Sequence, residues 1–240
     1  MADRGFPLKN LESSLKTLEA NAAEDAVTNG VARCMRNSGQ SCNAPTRMLV
    51  ERSRYAEALE QAAAAAEATK VGPASEEGNH IGPVVSQMQF DKIQALIEVG
   101  IKEDGATLIA GGLGRPEGLN RGFYVRPTIF ADMDNTARIN REEIFGPVMS
   151  IMPFDTEEEA IAIANDTPYG LTNYIQCGDQ EQRQRVARQL RSGMVETNSV
   201  GFGMGSPFGG YKQSGNGREG GIFGLHEFME IKAVSCWEDV

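Results

Sequence analysis

Apolar and polar positions along the first quarter of the chain alternate between helical and strand-like spacing. Leucines recur every three or four residues within 8–18, and the pattern predicts a second helix from about 23 to 35. The leucine stripe is too short for a stable coiled coil, so we interpret it as a helix that packs on its own core. The apolar run at 46–51 then predicts a buried strand.

The remainder of the chain continues this alternation of helices and strands. The predicted helices lie at 53–70, 86–104, 156–165 and 180–191, the first of them capped by Ser53. The predicted strands lie at 107–110, 124–130, 148–153, 171–176 and 193–198. Within 124–130, Pro127 indicates that part of the segment lies at a sheet edge. The pattern predicts an α/β fold: a single domain with a mostly parallel open sheet flanked by helices.

Charge and apolar run lengths exclude several classes of partner. The chain has 23 Lys and Arg against 33 Asp and Glu, a net charge of −10, which opposes binding to nucleic acid or to an anionic membrane. Residues 1–7 lack the apolar region of a signal peptide, and no apolar run is long enough to cross a bilayer. We therefore expect a cytoplasmic protein with no membrane partner.

The cysteines and histidines show no ligand spacing. They are scattered, without a CxxC pair, at Cys34, Cys42, Cys177, Cys236, His80 and His226. A structural metal site and a disulfide framework are both disfavoured by this distribution. The sequence predicts no metal and free thiols in a reducing compartment.

One cysteine stands on a turn of small residues between a predicted helix and a predicted strand. Residues 37–45 read NSGQSCNAP and place Cys42 where backbone N–H groups can favour a thiolate. The alternative is that Cys42 is a small buried hydrophobe, as most free cysteines are. From spacing alone, either histidine can approach this thiol in space, so a Cys–His hydrolase also stays open.

A second glycine-rich stretch matches a nucleotide-binding pattern only in its letters. Residues 215–220 read GNGREG and fit G-x-G-x-x-G. The physical fingerprint requires a preceding strand, a following helix and a later acidic residue in one βαβ unit. This stretch lies close to the end of the chain within a glycine-rich loop, so we predict that it is not a dinucleotide site.

Three motifs in fixed order make the chain similar to a known family. They are SGQSC at 38–42, REEIFGPV at 141–148 and SPFGGYKQSG at 206–215. Together they resemble the catalytic half of the NAD(P)-dependent aldehyde dehydrogenase superfamily, as do HIGP at 80–83 and DTPYGL at 166–171. The resemblance implies two parts: a segment at 1–22, predicted to be helical and without family counterpart, and an aldehyde dehydrogenase catalytic domain at 23–240.

The resemblance implies a role for four residues. Cys42 would be the nucleophile that adds to an aldehyde, with its backbone N–H as one arm of an oxyanion hole. Glu143 would accept hydrogen bonds from the ribose next to the nicotinamide, and Phe145 would pack near the nicotinamide. Phe208 would lie on the loop that lines the aldehyde tunnel. The alternatives are a solvated turn carboxylate for Glu143 and core aromatic rings for Phe145 and Phe208.

The resemblance also implies parts that these residues do not supply. Family members use NAD or NADP held by an N-terminal Rossmann-like domain, and a general-base glutamate in an E-L-G-G-K segment. A second oxyanion donor, an asparagine, comes from the cofactor domain. Residues 1–21 contain no such segment, and Glu12 and Glu19 lack its glycines, so neither is assigned as the base. We expect NAD(P) binding to be weak or absent without the cofactor domain.

Three functions remain open at this point. The first is oxidation of a small aldehyde to a carboxylic acid by a catalytic domain that is incomplete as an isolated chain. The second is a non-catalytic scaffold subunit, in which the tail at 231–237 pairs with a neighbouring copy by β-addition and forms a homo-oligomer. The third is a cofactor-free thiol esterase that depends on Cys42 alone.

Overall fold

The computed structural model describes residues 25–235, which form helices and strands in alternation. The helices are α1 (Ala26–Met35), α2 (Tyr55–Ala68), α3 (Gln87–Lys102), α4 (Arg138–Arg141), α5 (Glu157–Asn165), α6 (Gln180–Gln189) and α7 (Gly221–His226). The strands are β1 (Arg47–Glu51), β2 (Thr107–Ala110), β3 (Thr128–Ala131), β4 (Val148–Phe154), β5 (Thr172–Ile175) and β6 (Met194–Thr197). Short 3₁₀ turns span Arg36–Gly39, Arg52–Arg54 and Lys212–Ser214. The predicted leucine helix at 8–18 lies outside the described residues.

The strands form two sheets with predominantly parallel pairing. In the first sheet the order is β1-β4-β3-β2, where β1 and β3 run parallel to β4, and β2 is antiparallel to β3. In the second, β5 and β6 pair in parallel, with Thr172 opposite Met194. The predicted α/β fold with a mostly parallel sheet flanked by helices is confirmed. None of the described helices is long and apolar enough to span a membrane.

The prediction that Pro127 marks a sheet edge is wrong. Strand β3 begins one residue later, at Thr128, and pairs with β4 on one side and β2 on the other. The N–H of Thr128 donates to the carbonyl of Pro147 at 2.9 Å, so the ladder begins immediately after the proline. Because the missing N–H of Pro127 lies before the strand, it does not interrupt central pairing.

Side-chain caps begin three helices close to their predicted starts, α3, α5 and α6; at α6 the Asp179 carboxylate accepts from the N–H of Gln182 at 2.8 Å. The hydroxyl of Ser86 accepts from the N–H of Gln89 at 3.2 Å at the start of α3. The hydroxyl of Thr156 caps α5 in the same way. The predicted cap at Ser53 is wrong: α2 begins at Tyr55, after a 3₁₀ turn, and the Ser53 hydroxyl donates to the Glu51 carboxylate instead.

Alternation along the central strands places a separate apolar cluster on each face of the four-stranded sheet. On β4, Val148 and Met152 face a cluster built around α3, whereas Met149 and Ile151 face a cluster formed with α1 and α2. This period of two is the expected geometry of a strand that is buried on both faces. Helix α1 is thereby fixed against the sheet, and the thiol turn follows directly from its end.

Candidate active site

The turn that leads to Cys42 is held in an unusual backbone conformation. Residues 37–39 all have positive φ, between 51° and 70°. The Ser38 hydroxyl donates to the carbonyl of Gly82 at 2.7 Å, and the Gln40 side-chain oxygen accepts from the N–H of Val85 at 2.9 Å. Left-handed residues in succession persist only where surrounding contacts hold them, so the HIGP segment supports the thiol turn.

Direct backbone packing joins the thiol turn to the second motif. A Cβ built on Gly39 would lie 2.0 Å from the carbonyl oxygen of Gly146 and 2.6 Å from the nitrogen of Pro147. Only glycine fits at residue 39, because any Cβ there would clash with the backbone of the facing segment. Motifs that are more than 100 residues apart in sequence therefore meet through this contact.

Among the cysteines that the structure describes, Cys42 is the exposed one. Cys34 is fully buried with its sulfur 3.6 Å from the carbonyl of Val148, and burial raises the pKa of its thiol to about 12. Cys177 is half-buried, and its thiol lies 3.0 Å from the side-chain oxygen of Gln182. The alternative of an inert buried thiol therefore describes Cys34 and does not describe Cys42.

Helix α3 holds the segment that contains Glu143 and Phe145. The ammonium group of Lys92 donates to the carbonyl of Glu143 at 2.6 Å. The amide of Gln89 donates to the carbonyls of Ile144 and Phe145 at 3.0 Å and 2.9 Å. These two anchors lie three residues apart on one face of α3, a spacing that the sequence shows but that our sequence analysis did not use.

The backbone of Phe145 is strained. Its φ is 55°, in a region that few aromatic residues adopt, and the side chain is half-buried. The next residue, Gly146, packs against α3, where a Cβ would lie 2.5 Å from the side chain of Ile93. A core aromatic ring would not require this conformation, whereas a ring presented at a functional site can retain such strain.

A single cleft brings three of the four predicted site residues together. Its volume is about 740 Å³, and Cys42, Glu143 and Phe145 all line it, together with the free edges of β1 and β5. Glu143 is exposed. Neither histidine lines the cleft: a ring nitrogen of His80 lies 2.9 Å from the carbonyl of Pro73, and His226 is exposed at the end of α7. The Cys–His arrangement is therefore not formed among the described residues.

Phe208 lies outside the lining of this cleft. It forms an antiparallel bridge with Glu219, through N–H to carbonyl bonds of 2.8 Å and 2.7 Å. In the same motif, the ammonium group of Lys212 donates to the carbonyls of Asn165 and Thr167 at 2.7 Å and 3.1 Å. The third motif thus packs partly on the segment that enters β5 and partly on the residues that follow the motif, at Glu219.

The stretch at 215–220 does not form a dinucleotide-binding unit. A 3₁₀ turn precedes it, and α7, which follows it, has six residues. Its Glu219 belongs to the bridge with Phe208. The strand and the long helix that the dinucleotide fingerprint requires are therefore not formed next to this stretch in the described chain.

Comparison with known proteins now decides the family. The sequence profile of the aldehyde dehydrogenase family matches residues 16–234. The chain belongs to this family. The 3-succinoylsemialdehyde-pyridine dehydrogenase of a Pseudomonas species is 50% identical over 215 residues, covering 90% of this chain and 45% of that protein. The chain therefore spans about half the length of its aldehyde dehydrogenase relatives.

Solved aldehyde dehydrogenase structures share the fold as well as the sequence. The enzyme from Bartonella henselae has a TM-score of 0.87 at 59% identity and covers 89% of this chain, which in turn covers 44% of that chain. A mutant of aldehyde dehydrogenase C from Pseudomonas syringae, complexed with NAD⁺ and octanal, has a TM-score of 0.85 at 48% identity. It covers 88% of this chain and is itself covered over 43% of its length.

Proposed function

We propose that this chain is the catalytic domain of an NAD(P)-dependent aldehyde dehydrogenase, with Cys42 as the nucleophile. The observation that carries the proposal is the common cleft, in which the exposed thiol of Cys42 lies on the same surface as Glu143 and Phe145. A thiol, a carboxylate and an aromatic ring in one cleft match the roles of nucleophile, ribose acceptor and nicotinamide contact.

Covalent chemistry at Cys42 accounts for the oxidation. The thiolate adds to the aldehyde carbonyl and forms a thiohemiacetal, whose oxyanion the backbone N–H of Cys42 would stabilise. Loss of hydride from the carbon leaves a thioester on the sulfur, and water hydrolyses it to the carboxylic acid and the free thiol. A soft thiolate suits both halves, because it adds readily and leaves readily.

The residues present fit one end of the cofactor. The exposed carboxylate of Glu143 offers two acceptor oxygens, which suits the adjacent hydroxyls of a ribose, and the half-buried ring of Phe145 offers an apolar face to a nicotinamide. NAD(P), when bound, supplies the hydride acceptor. Several neighbours are NAD⁺ complexes of aldehyde dehydrogenases, which supports NAD(P) as the cofactor.

Hydrolysis of the thioester is the step that this chain supports least. Glu12 and Glu19 lack the glycines of the family's base segment, and both lie outside the described residues. A base must take a proton from the attacking water, so we propose that the isolated chain deacylates slowly. We also propose that it binds the cofactor weakly, because family members hold NAD(P) in an N-terminal domain. The division at residues 22 and 23 and the cytoplasmic location remain predictions.

The test is NADH production from a panel of aliphatic and aromatic aldehydes, with and without a polypeptide bearing a family cofactor domain. We expect turnover only in the mixture, and we expect Cys42→Ala to abolish it. Cys177→Ala is the matched control: Cys177 lines the same cleft, but its thiol is half-buried and bonds to the side chain of Gln182, so its loss should leave turnover unchanged. No turnover in the mixture, or turnover that survives Cys42→Ala, would overturn the proposal. Ester hydrolysis by Cys42 without NAD would instead favour the thiol esterase.

The C-terminal segment supports association between copies of the chain. Large apolar side chains are exposed along it, at Ile222, Phe223, Leu225, Phe228, Met229, Ile231 and Val234. A contiguous apolar set of this kind marks an interaction surface. Residues 230–235 contain no strand, and 236–240 lie outside the described chain, so pairing through a C-terminal strand stays a proposal. Light scattering should show an oligomer that Ile231→Asp converts to monomer; a wild-type monomer at high concentration would contradict it.

A further inference from the structure

A tyrosine from a distant strand contacts the thiol turn directly. The hydroxyl of Tyr174, on β5, donates to the backbone carbonyl of Asn43 at 2.6 Å. Asn43 follows Cys42, and the turn around them is closed by the N–H of Ala44, which donates to the carbonyl of Ser41 at 3.0 Å. The far side of the thiol turn is therefore tethered to β5.

A partly buried ion pair fixes the position of this tyrosine. The guanidinium of Arg33, on α1, lies 4.3 Å from the centre of the Tyr174 ring and forms two hydrogen bonds with the carboxylate of Glu196, one of 2.7 Å. Glu196 lies on β6 and is 3% exposed. A two-pronged guanidinium–carboxylate pair has a fixed geometry, and a cation over an aromatic face is attractive. Three elements are therefore joined behind the thiol turn.

We propose that Tyr174 is a positioning residue for Cys42 and that the Arg33–Glu196 pair holds Tyr174 in place. The proposal rests on the assignment of Cys42 as the nucleophile. Tyr174 donates to a backbone carbonyl of the turn, and this hydrogen bond fixes the orientation of the peptide groups next to Cys42. The positions of the Cys42 thiol and N–H depend on that orientation. None of these three residues belongs to the family motifs of the sequence.

The thiol turn thus has an anchor on each side of Cys42. On the preceding side, Gly39 packs against Gly146 and the Ser38 hydroxyl bonds to the main chain. On the following side, the anchor is the hydroxyl of Tyr174. A neutral hydrogen bond of this kind changes an opening equilibrium by roughly two- to tenfold. Removing it should leave the turn held at one end only.

Tyr174→Phe is the sharpest variant, because it deletes the hydroxyl and keeps the ring under Arg33. We expect hydrogen exchange at the Ala44 amide, followed on peptides covering 41–45, to rise roughly two- to tenfold, with exchange elsewhere unchanged. Tyr55→Phe is the matched control. The Tyr55 hydroxyl lies 3.1 Å from the carbonyl of Ile151 and does not line the cleft, so its loss should leave 41–45 unchanged.

A double-mutant cycle separates this role from general loosening. Arg33→Lys keeps the charge but loses the planar fork, and should also raise exchange at 41–45. In a chain that already carries Tyr174→Phe, Arg33→Lys should add little further exchange, because its effect passes through the missing hydroxyl. Additive effects of the two substitutions would show that they act independently and would overturn the proposal.

A kinetic readout completes the test. In the mixture with a cofactor-domain polypeptide, Tyr174→Phe should lower kcat while the KM for aldehyde is unchanged. Unchanged exchange at 41–45 in Tyr174→Phe, or an equal rise in Tyr55→Phe, would overturn the tether. If the wild-type mixture shows no turnover, the proposed catalytic function of Cys42 fails, whereas the exchange result still decides whether Tyr174 orders the turn.

Discussion

The two sheets of the molecule differ in how they are held. In the four-stranded sheet, all four residues of β3 and the first five of β4 are buried. In the smaller unit, every residue of β5 is only half-buried, and α5 has no buried residue. The smaller unit consists of β5, β6, α5 and α6. Ile163 packs on the larger core, and several polar contacts join this unit to neighbouring segments. These are Arg33–Glu196, Tyr174–Asn43, Arg47–Ile163, Arg141–Asp166 and Lys212–Asn165.

This difference divides the support of Cys42 between two kinds of force. On the side of the larger sheet, apolar burial and close backbone packing fix α1 and Gly39. On the side of the smaller unit, directed hydrogen bonds fix the carbonyl of Asn43. Apolar burial contributes most of the stability, whereas polar contacts contribute direction, and the thiol turn uses both.

The largest expected effect comes from the core of the larger sheet. Phe130 is fully buried on β3, so Phe130→Ala should lower the free energy of unfolding by about 4 kcal/mol. Phe202, in the segment after β6, is 46% exposed, and Phe202→Ala should cost about 1 kcal/mol or less. Urea denaturation measures both. Equal costs for the two substitutions would remove the contrast between the regions.

A substitution at the contact between the first two motifs should destabilise the fold nearly as much as Phe130→Ala. Gly39→Ala places a Cβ on the backbone of Gly146 at a φ of 70°, and should lower the free energy of unfolding by about 3 kcal/mol. Gly178→Ala is the control, since a Cβ there meets nothing within 4 Å. If Gly39→Ala unfolded at the same urea concentration as Gly178→Ala, the proposed close packing would be wrong.

The ion pair that joins the two regions should contribute less than the core. Glu196→Ala leaves the Arg33 guanidinium without its carboxylate and should cost about 2 kcal/mol, below the range for a fully buried pair because Arg33 is 32% exposed. Glu57→Ala breaks the exposed pair with Arg54 and should cost about 0.5 kcal/mol or less. Similar costs in urea would mean that Glu196 contributes no more than a surface pair.

The smallest effect is expected at the exposed pair between Arg141 and Asp166. Hydrogen bonding to Arg141 lowers the pKa of Asp166 below its ordinary value of 3.8. A carboxyl whose pKa is lower in the folded chain stabilises it above pH 3.8, and this stabilisation is lost as the pH falls through the folded pKa. The stability gap between wild type and Asp166→Asn should therefore close on acidification. A gap that is constant from neutral pH to pH 3 would contradict this.

Local pattern was sufficient for most of the secondary structure and for the thiol. Helices α3 and α5 begin within one residue of their predicted starts, and the predicted strands appear within a few residues of their expected limits. The turn chemistry around Cys42 is likewise a local property, because small residues and Gly39 permit the left-handed backbone. Two predictions from local pattern were wrong. Pro127 lies one residue before strand β3, so it does not mark a sheet edge, and α2 begins two residues after Ser53, so Ser53 does not cap it.

The sequence by itself determined the alternation of elements, the family motifs and the candidate nucleophile, because these depend on residue types at short spacing. Only the tertiary structure decided that Gly39 meets Gly146, that Phe208 pairs with Glu219 outside the cleft, and that Tyr174 reaches Asn43. Such contacts join segments far apart in the chain. They arise from how the two sheets pack, and short-range spacing carries no record of that packing.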